Sequence, residues 1–160
     1  ALAQDTGCGV RASEERRAEV EAVASALEEQ CPASPATVPL TGVYDLVFST
    51  SPGASSGKLG PFLGKVTQTF LDEVRFINAV ELFGVAKVSL LVEREVLDET
   101  RIQVRFKETV VEVFGVEVLR KPTNGQGIWQ NRFVDEKGDF RVMFTPNLFV
   151  LRKRASSSAA

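Results

Sequence analysis

The feature that most constrains this chain is a change of period. Before Pro39 the apolar residues recur at helical spacing; after it they alternate, and the alternation runs to Arg152. Period two sends successive side chains to opposite faces of a sheet, so a long stretch of it dictates strands with one buried face. Gly42 to Ser49 sets Tyr44, Leu46 and Phe48 against Val43, Asp45 and Val47. Lys65 to Leu71 sets Val66, Gln68 and Phe70 against threonines, and Val74, Phe76, Asn78 and Val80 keep the rhythm. Further strand-like runs cover Ala86 to Val96, Arg101 to Glu108, Val110 to Leu119, Gly127 to Asp135, Phe140 to Phe144 and Leu148 to Arg152. Turn residues punctuate them at Asp98-Glu99, Gly115, Asn124-Gly125, Lys137-Gly138 and Thr145-Pro146-Asn147. About eight or nine short antiparallel strands with hairpin-length links fit a sandwich or an up-and-down barrel. Closure removes exposed edges, which favours the barrel.

Ahead of Pro39, residues 13–30 read as a helix. Ser13 can cap it, and Glu14 and Glu15 then sit at its positive end. Val20, Val23, Ala24 and Leu27 form one apolar stripe, and Pro32 and Pro35 stop the helix. The stripe is expected to pack on the barrel or to close one of its ends. The organisation expected for the 160 residues is therefore a single core. Residues 1–39 form a segment with the helix, 40–154 the barrel and 155–160 a Ser/Ala tail. Such a tail is ordered only when something holds it, as in a subunit of a larger assembly. The chain opens on Ala1 without a signal-like run, as a mature chain would, and no apolar stretch nears the ~20 residues of a membrane-spanning helix.

Composition removes several functions. Nineteen Lys and Arg against 21 Asp and Glu leave a net charge of −2, so no nucleic-acid partner is expected. The chain has no histidine, which takes away the usual general base, the commonest metal ligand and Ser-His-Asp or Cys-His catalysis. Cys8 and Cys31 are too few for a zinc cluster; two free thiols are expected, although a single bridge is possible. Gly53 to Gly64 contains Ser-Ser-Gly-Lys, but Leu59-Gly60-Pro61 follows, so a P-loop has neither its hydroxyl nor its helix. The carboxylate pairs Glu93/Glu95, Asp98/Glu99 and Asp135/Glu136 fall at strand ends and turns, where solvation is the ordinary explanation.

Two features remain for function. Ser51 to Gly64 is far longer than the ~2–5 residues a hairpin needs, and it carries apolar Leu59, Phe62 and Leu63 among its glycines. It can fold back on the barrel rim, gate a cavity mouth, or touch a membrane or partner. Polar residues also interrupt apolar strand faces. Gln68 lies beside Val66 and Phe70, and Asn78 beside Phe76 and Val80. Gln130, Arg132 and Arg141 sit in runs otherwise well supplied with apolar groups. Such groups face solvent, pair internally, or meet a ligand's polar head, because burying one unpaired costs ~1–3 kcal/mol. Gln68, Asn78, Arg141 and the single tryptophan, Trp129, are the candidate ligand contacts. An eight-stranded barrel has room for either its own side chains or one small apolar ligand. The eleven phenylalanines, among them Phe48, Phe70, Phe76, Phe106, Phe133, Phe140 and Phe149, are expected mainly in the core.

The order of motifs resembles the plastid lipid-associated protein, or fibrillin, family over about Gly7 to Arg152. Gly7, Ala12-Ser13, Arg17 and Leu27-Glu28 through Cys31-Pro32 are similar to its opening helix. Leu40-Thr41-Gly42-Val43-Tyr44-Asp45-Leu46-Val47-Phe48-Ser49-Thr50-Ser51 resembles its first strand. Gly64 to Gln68 and Asn78-Ala79-Val80 match later landmarks, and Asp139-Phe140-Arg141-Val142 with Asn147 to Leu151 resembles its closing signature. Cys31 stands where the family prefers Asn, Tyr44 where it prefers Trp, and Met143-Phe144 where it has polar residues. The resemblance implies a mainly β, lipocalin-like antiparallel up-and-down β-barrel with one N-terminal α-helix. It implies a chloroplast location, peripheral at the thylakoid or plastoglobule. It also implies a non-enzymatic role without a required cofactor, with a prenylquinone, carotenoid or acyl lipid as possible ligand. The alternative is a structural subunit docked on a large thylakoid photosynthetic complex. For that docking the basic cluster Arg152, Lys153 and Arg154 offers contacts to anionic surfaces.

Overall fold

The computed structural model describes residues 1–32 and 34–155. The stretch beyond Ala155, where the ordered tail was expected, lies outside the described residues. The chain begins with successive turns, then helix α1 (Glu14–Glu29), capped by Ser13, whose hydroxyl accepts from the Arg16 amide. Strand β1 (Gly42–Ser49) follows, then two short strands in the long connection, β2 (Lys58–Leu59) and β3 (Phe62–Leu63). The remaining strands are β4 (Lys65–Phe70), β5 (Arg75–Leu82), β6 (Ala86–Val96), β7 (Arg101–Val113), β8 (Val116–Val134), β9 (Phe140–Phe144) and β10 (Leu148–Lys153).

Eight of these strands close into an antiparallel barrel in the order β1-β10-β9-β8-β7-β6-β5-β4, while β2 and β3 pair only with each other. This is the up-and-down barrel expected from the alternation, and the lipocalin-like plan that the family resemblance implies. The inner face is built from the same alternating positions: Tyr44 and Leu46 of β1, Phe70 of β4, Phe76 of β5, Val92 of β6, Ile102 and Val104 of β7, Val134 of β8. A second core lies outside the barrel wall, where Val20 and Ala24 of α1 meet Phe48, Val142, Leu148 and Val150. The helix therefore lies along the side of the barrel. Arg132 fastens it there, pairing with Glu28 at 2.6 Å and donating to Ser25 Oγ at 3.1 Å. Of the four residues in the expected stripe, Val23 turns to solvent, because the flat contact on a sheet uses a narrower band than a full stripe. The barrel end is plugged instead by the segment after the helix, with Ala36 and Leu40 buried in the inner core and the Ala36 amide bonded to the Glu99 carbonyl at 2.8 Å.

Two of the expected breaks are absent. Arg101 to Glu108 and Val110 to Leu119 do not form separate strands; β7 runs on to Val113, turns at Phe114-Gly115, and returns as the 19-residue β8. Asn124-Gly125 makes no hairpin turn. It lies within β8 at a bulge, where Phe106 pairs with Gly125 and Glu108 with Pro122. A bulge uses the same permissive residues as a turn, which explains the misreading. Because β9 pairs with β8 only from Gln130 to Val134, the first part of β8 has a ladder on its β7 side alone among the described residues.

The two barrel ends differ chemically. At the end that holds the β4–β5, β6–β7 and β8–β9 links, aspartates organise the turns. Asp72 accepts the Val74 and Arg75 amides, Asp98 those of Thr100 and Arg101, and Asp135 those of Asp139 and Phe140. These bonds, joined by the Arg101 side chain, hold the Asp98 carboxyl down at about 2. The opposite end holds the β5–β6 and β7–β8 hairpins, and both turn through a Phe-Gly pair. Phe83 (φ 55°) precedes Gly84 and Phe114 (φ 50°) precedes Gly115, all four at positive φ.

Candidate functional site

A chamber of about 270 Å³ occupies the half of the barrel nearest the Phe-Gly hairpins. Its wall is largely apolar, from Leu46, Val66, Val80, Leu90, Phe149 and Leu151, with Trp129 on one side. Ala54 and Ser55 of the long connection lie at its mouth. The other half of the barrel is filled by buried side chains, among them Tyr44, Phe70, Phe76, Val92, Ile102 and Val104.

Where the chamber meets the solid half, three polar side chains form a line. Arg141 on β9 is fully buried, and its Nη1 donates to Gln68 Oε1 at 2.6 Å. Gln68 Nε2 in turn donates to Asn78 Oδ1 at 3.1 Å. Gln68 and Asn78 line the chamber and Arg141 stands behind them. The guanidinium lies over the rings of Tyr44 and Phe70, 5.2 Å from each centroid, and its Nη2 touches Met143 Sδ at 3.3 Å. A second buried guanidinium, Arg94, lies 5.3 Å from the same Phe70 ring and bonds the Glu73 carbonyl at 2.8 Å. Neither has a carboxylate in ion-pair contact among the described residues, and Arg141 Nε and Arg94 Nη1 have no partner. Burial without a counter-ion disfavours the charged form, and it pulls Arg141 down to about 10. Arg94 is lowered for the same reason. Burial also raises Tyr44, whose hydroxyl donates to the Gly138 carbonyl.

Of the candidate ligand contacts, Gln68, Asn78 and Trp129 share the chamber wall and Arg141 supports it from behind. Gln130 is half-buried, and Arg132 serves the helix. The proposed gate residues stand elsewhere. Leu59, Phe62 and Leu63 do not line the chamber, and the part of the connection that does is Ala54-Ser55. Phe62 is instead exposed and stacks edge-to-face on Phe83 at 5.5 Å. The basic cluster is mostly neutralised: Arg154 holds Asp45 with two hydrogen bonds, and Lys153 lies 4.0 Å from Asp139. Only Arg152 of the three has no ion pair among the described residues. Cys8 and Cys31 are both free thiols; Cys8 donates to the Leu46 carbonyl at 3.3 Å, and burial raises its pKa. No group of three or more acidic or cysteine side chains among the described residues could hold a metal.

Beyond Gln68 and Arg141, the strands also bury Arg94 and Asn131. Arg94 sits between Glu93 and Glu95, and the alternation that buries Val92 sends it inward too. Asn131 is buried with neither side-chain atom partnered. It shares the inward phase of Trp129, and the bulge after it, between Asn131 and Phe133, obscures the pattern.

Fold and chamber together define a small closed antiparallel barrel with an apolar internal site. The family model PAP_fibrillin matches residues 2–143, and the chain belongs to this plastid lipid-associated, or fibrillin, family. No curated protein and no solved structure matches it. No helix among the described residues is long and apolar enough to cross a membrane.

Proposed function

We propose that this protein is a non-enzymatic lipophile-binding member of its family. It would take a prenylquinone, carotenoid or acyl lipid at the thylakoid or plastoglobule surface of the chloroplast. The observation that carries this reading is the apolar chamber opening at the end of the barrel where Phe62, Phe83 and Phe114 stand exposed. Burying on the order of 200 Å² of ligand surface there would contribute about 5 kcal/mol. Phe83 and Phe114 occupy left-handed turn positions that cost a bulky L-residue roughly 1–2 kcal/mol each, and they are 75% and 79% exposed. Apolar residues held against local stability at the mouth of an apolar chamber suit contact with a lipid surface.

The test is mass spectrometry of an organic extract of the protein purified from its own membranes. One quinone, carotenoid or acyl lipid near one per chain, above that carried by the detergent-washed membranes, is the expected result. A bare protein would refute the binding reading.

The second reading, a ligand-free structural subunit docked on a thylakoid complex, is favoured by the one-sided ladder of β8. An exposed edge of that length is a template for pairing with a partner strand. Native-size measurement separates the two: a monomer in mild detergent counts against docking.

A further inference from the structure

The chain of hydrogen bonds from Arg141 fixes more than the positions of Gln68 and Asn78. A guanidinium has donors only. The atom of Gln68 facing Arg141 at 2.6 Å is therefore the carbonyl oxygen, and the amide nitrogen points the other way. That nitrogen is a donor, so the atom of Asn78 it meets at 3.1 Å is again the oxygen. Asn78 Nδ2 is left without a protein partner among the described residues, on a side chain that lines the chamber. Each amide could have been oriented two ways, but a buried arginine at one end leaves a single consistent arrangement. Thr67, Thr109, Thr145 and Ser55 also border the chamber, yet hydroxyls rotate to suit either partner and impose no polarity.

We propose that this relay sets an unpartnered amide donor, Asn78 Nδ2, into the inner wall of the chamber, favouring lipophiles whose buried head offers acceptor oxygens, as a carbonyl or carboxylate does. The inference rests on the ligand-binding reading above and narrows it. A pure hydrocarbon would leave the Asn78 amide unpaired, and a head group that can only donate would face it N–H to N–H. The positive charge behind Gln68 acts in the same direction, because the negative end of a carbonyl dipole would lie toward it.

Trp129 is the only tryptophan and lines the chamber, so its fluorescence reports occupancy directly. Three probes of equal chain length test the polarity: 2-undecanone, undecane and undecylammonium, the affinities of the two neutral probes being normalised to their partition into hexadecane. The wild-type protein is expected to bind the ketone at least tenfold better than either of the others. Gln68→Glu keeps the contact to Arg141 but presents an acceptor to Asn78, which then turns its oxygen to the chamber. The preference should reverse, with the ketone losing about tenfold and the ammonium gaining. Asn78→Asp, isosteric and independent of the Arg141 contact, should shift the preference the same way. Equal normalised affinities for ketone and undecane, or an unchanged order of probes in both variants, would overturn the fixed donor at the inner wall while leaving a ligand chamber. No response of Trp129 to any probe would remove the chamber reading itself, and this inference with it.

Discussion

At the scale of single residues, the barrel interior is governed by what arginine can and cannot do. Arg141 has no carboxylate in ion-pair contact among the described residues, and its guanidinium lies against two aromatic faces, a thioether and one amide oxygen. That is a poor environment for a cation and a strong device for orienting neutral dipoles. Gln68, Asn78 and Arg141 were all legible, because each interrupts an alternating apolar face. Their connection was not, since it joins β4, β5 and β9 across 73 residues of sequence. On the outer surface Asp45 shows the opposite regime. Hydrogen bonding to Arg154 holds its carboxyl below the ordinary 3.8, aided by the Arg154, Lys65 and Arg152 charges and opposed by partial burial. A lowered folded-state pKa stabilises the fold above 3.8 and loses that contribution as pH falls through the lowered value. In urea titrations Asp45→Asn should therefore be less stable than the wild type near pH 7, by under about 1 kcal/mol for so exposed a pair. The gap should close in acid. A gap that stays constant down to pH 2 would assign the loss to something other than this charge.

At the scale of elements, the strands read well and their lengths read badly. Alternation identifies a strand, but only its partner decides how far it runs. β7 and β8 continue past the expected breaks because each supplies the other's ladder out to Val113 and Val116. The N-terminal segment was invisible for a different reason: it has no periodicity and is fixed by backbone contacts. The Ser49 amide donates to the Cys8 carbonyl at 3.0 Å, and Gly9, at φ +89°, passes so close that an added β-carbon would lie 2.2 Å from the Ser49 carbonyl oxygen. Gly9→Ala combines that clash with a left-handed backbone and is expected to cost ~2 kcal/mol or more in chemical denaturation. Limited proteolysis should then cut first within residues 1–12. An unchanged midpoint would mean that this segment adds nothing to the stability of β1.

At the scale of the whole molecule, the barrel is polarised along its axis. One end is closed by aspartate-organised turns and the plug around Ala36 and Leu40; the other carries the chamber mouth and the exposed phenylalanines. Asparagine tolerates positive φ better than phenylalanine, so Phe83→Asn with Phe114→Asn should leave the melting temperature unchanged or raise it. The same variant should bind vesicles of neutral lipid roughly tenfold less per ring removed. Undiminished binding in a sedimentation assay would move the lipid contact away from this end. The chamber's size has a consequence for traffic. At about 270 Å³ it admits a head group and a short length of chain. The rest of a long-chain guest must emerge at the mouth, among Phe62, Phe83 and Phe114. On the proposed lipid-binding reading, such a guest would not cross water: it would slide head-first from the lipid phase into the protein and back while its tail stayed dissolved. Its exchange rate would then follow how long the protein rests on the lipid, and the guest's own vanishing solubility in water would not limit it.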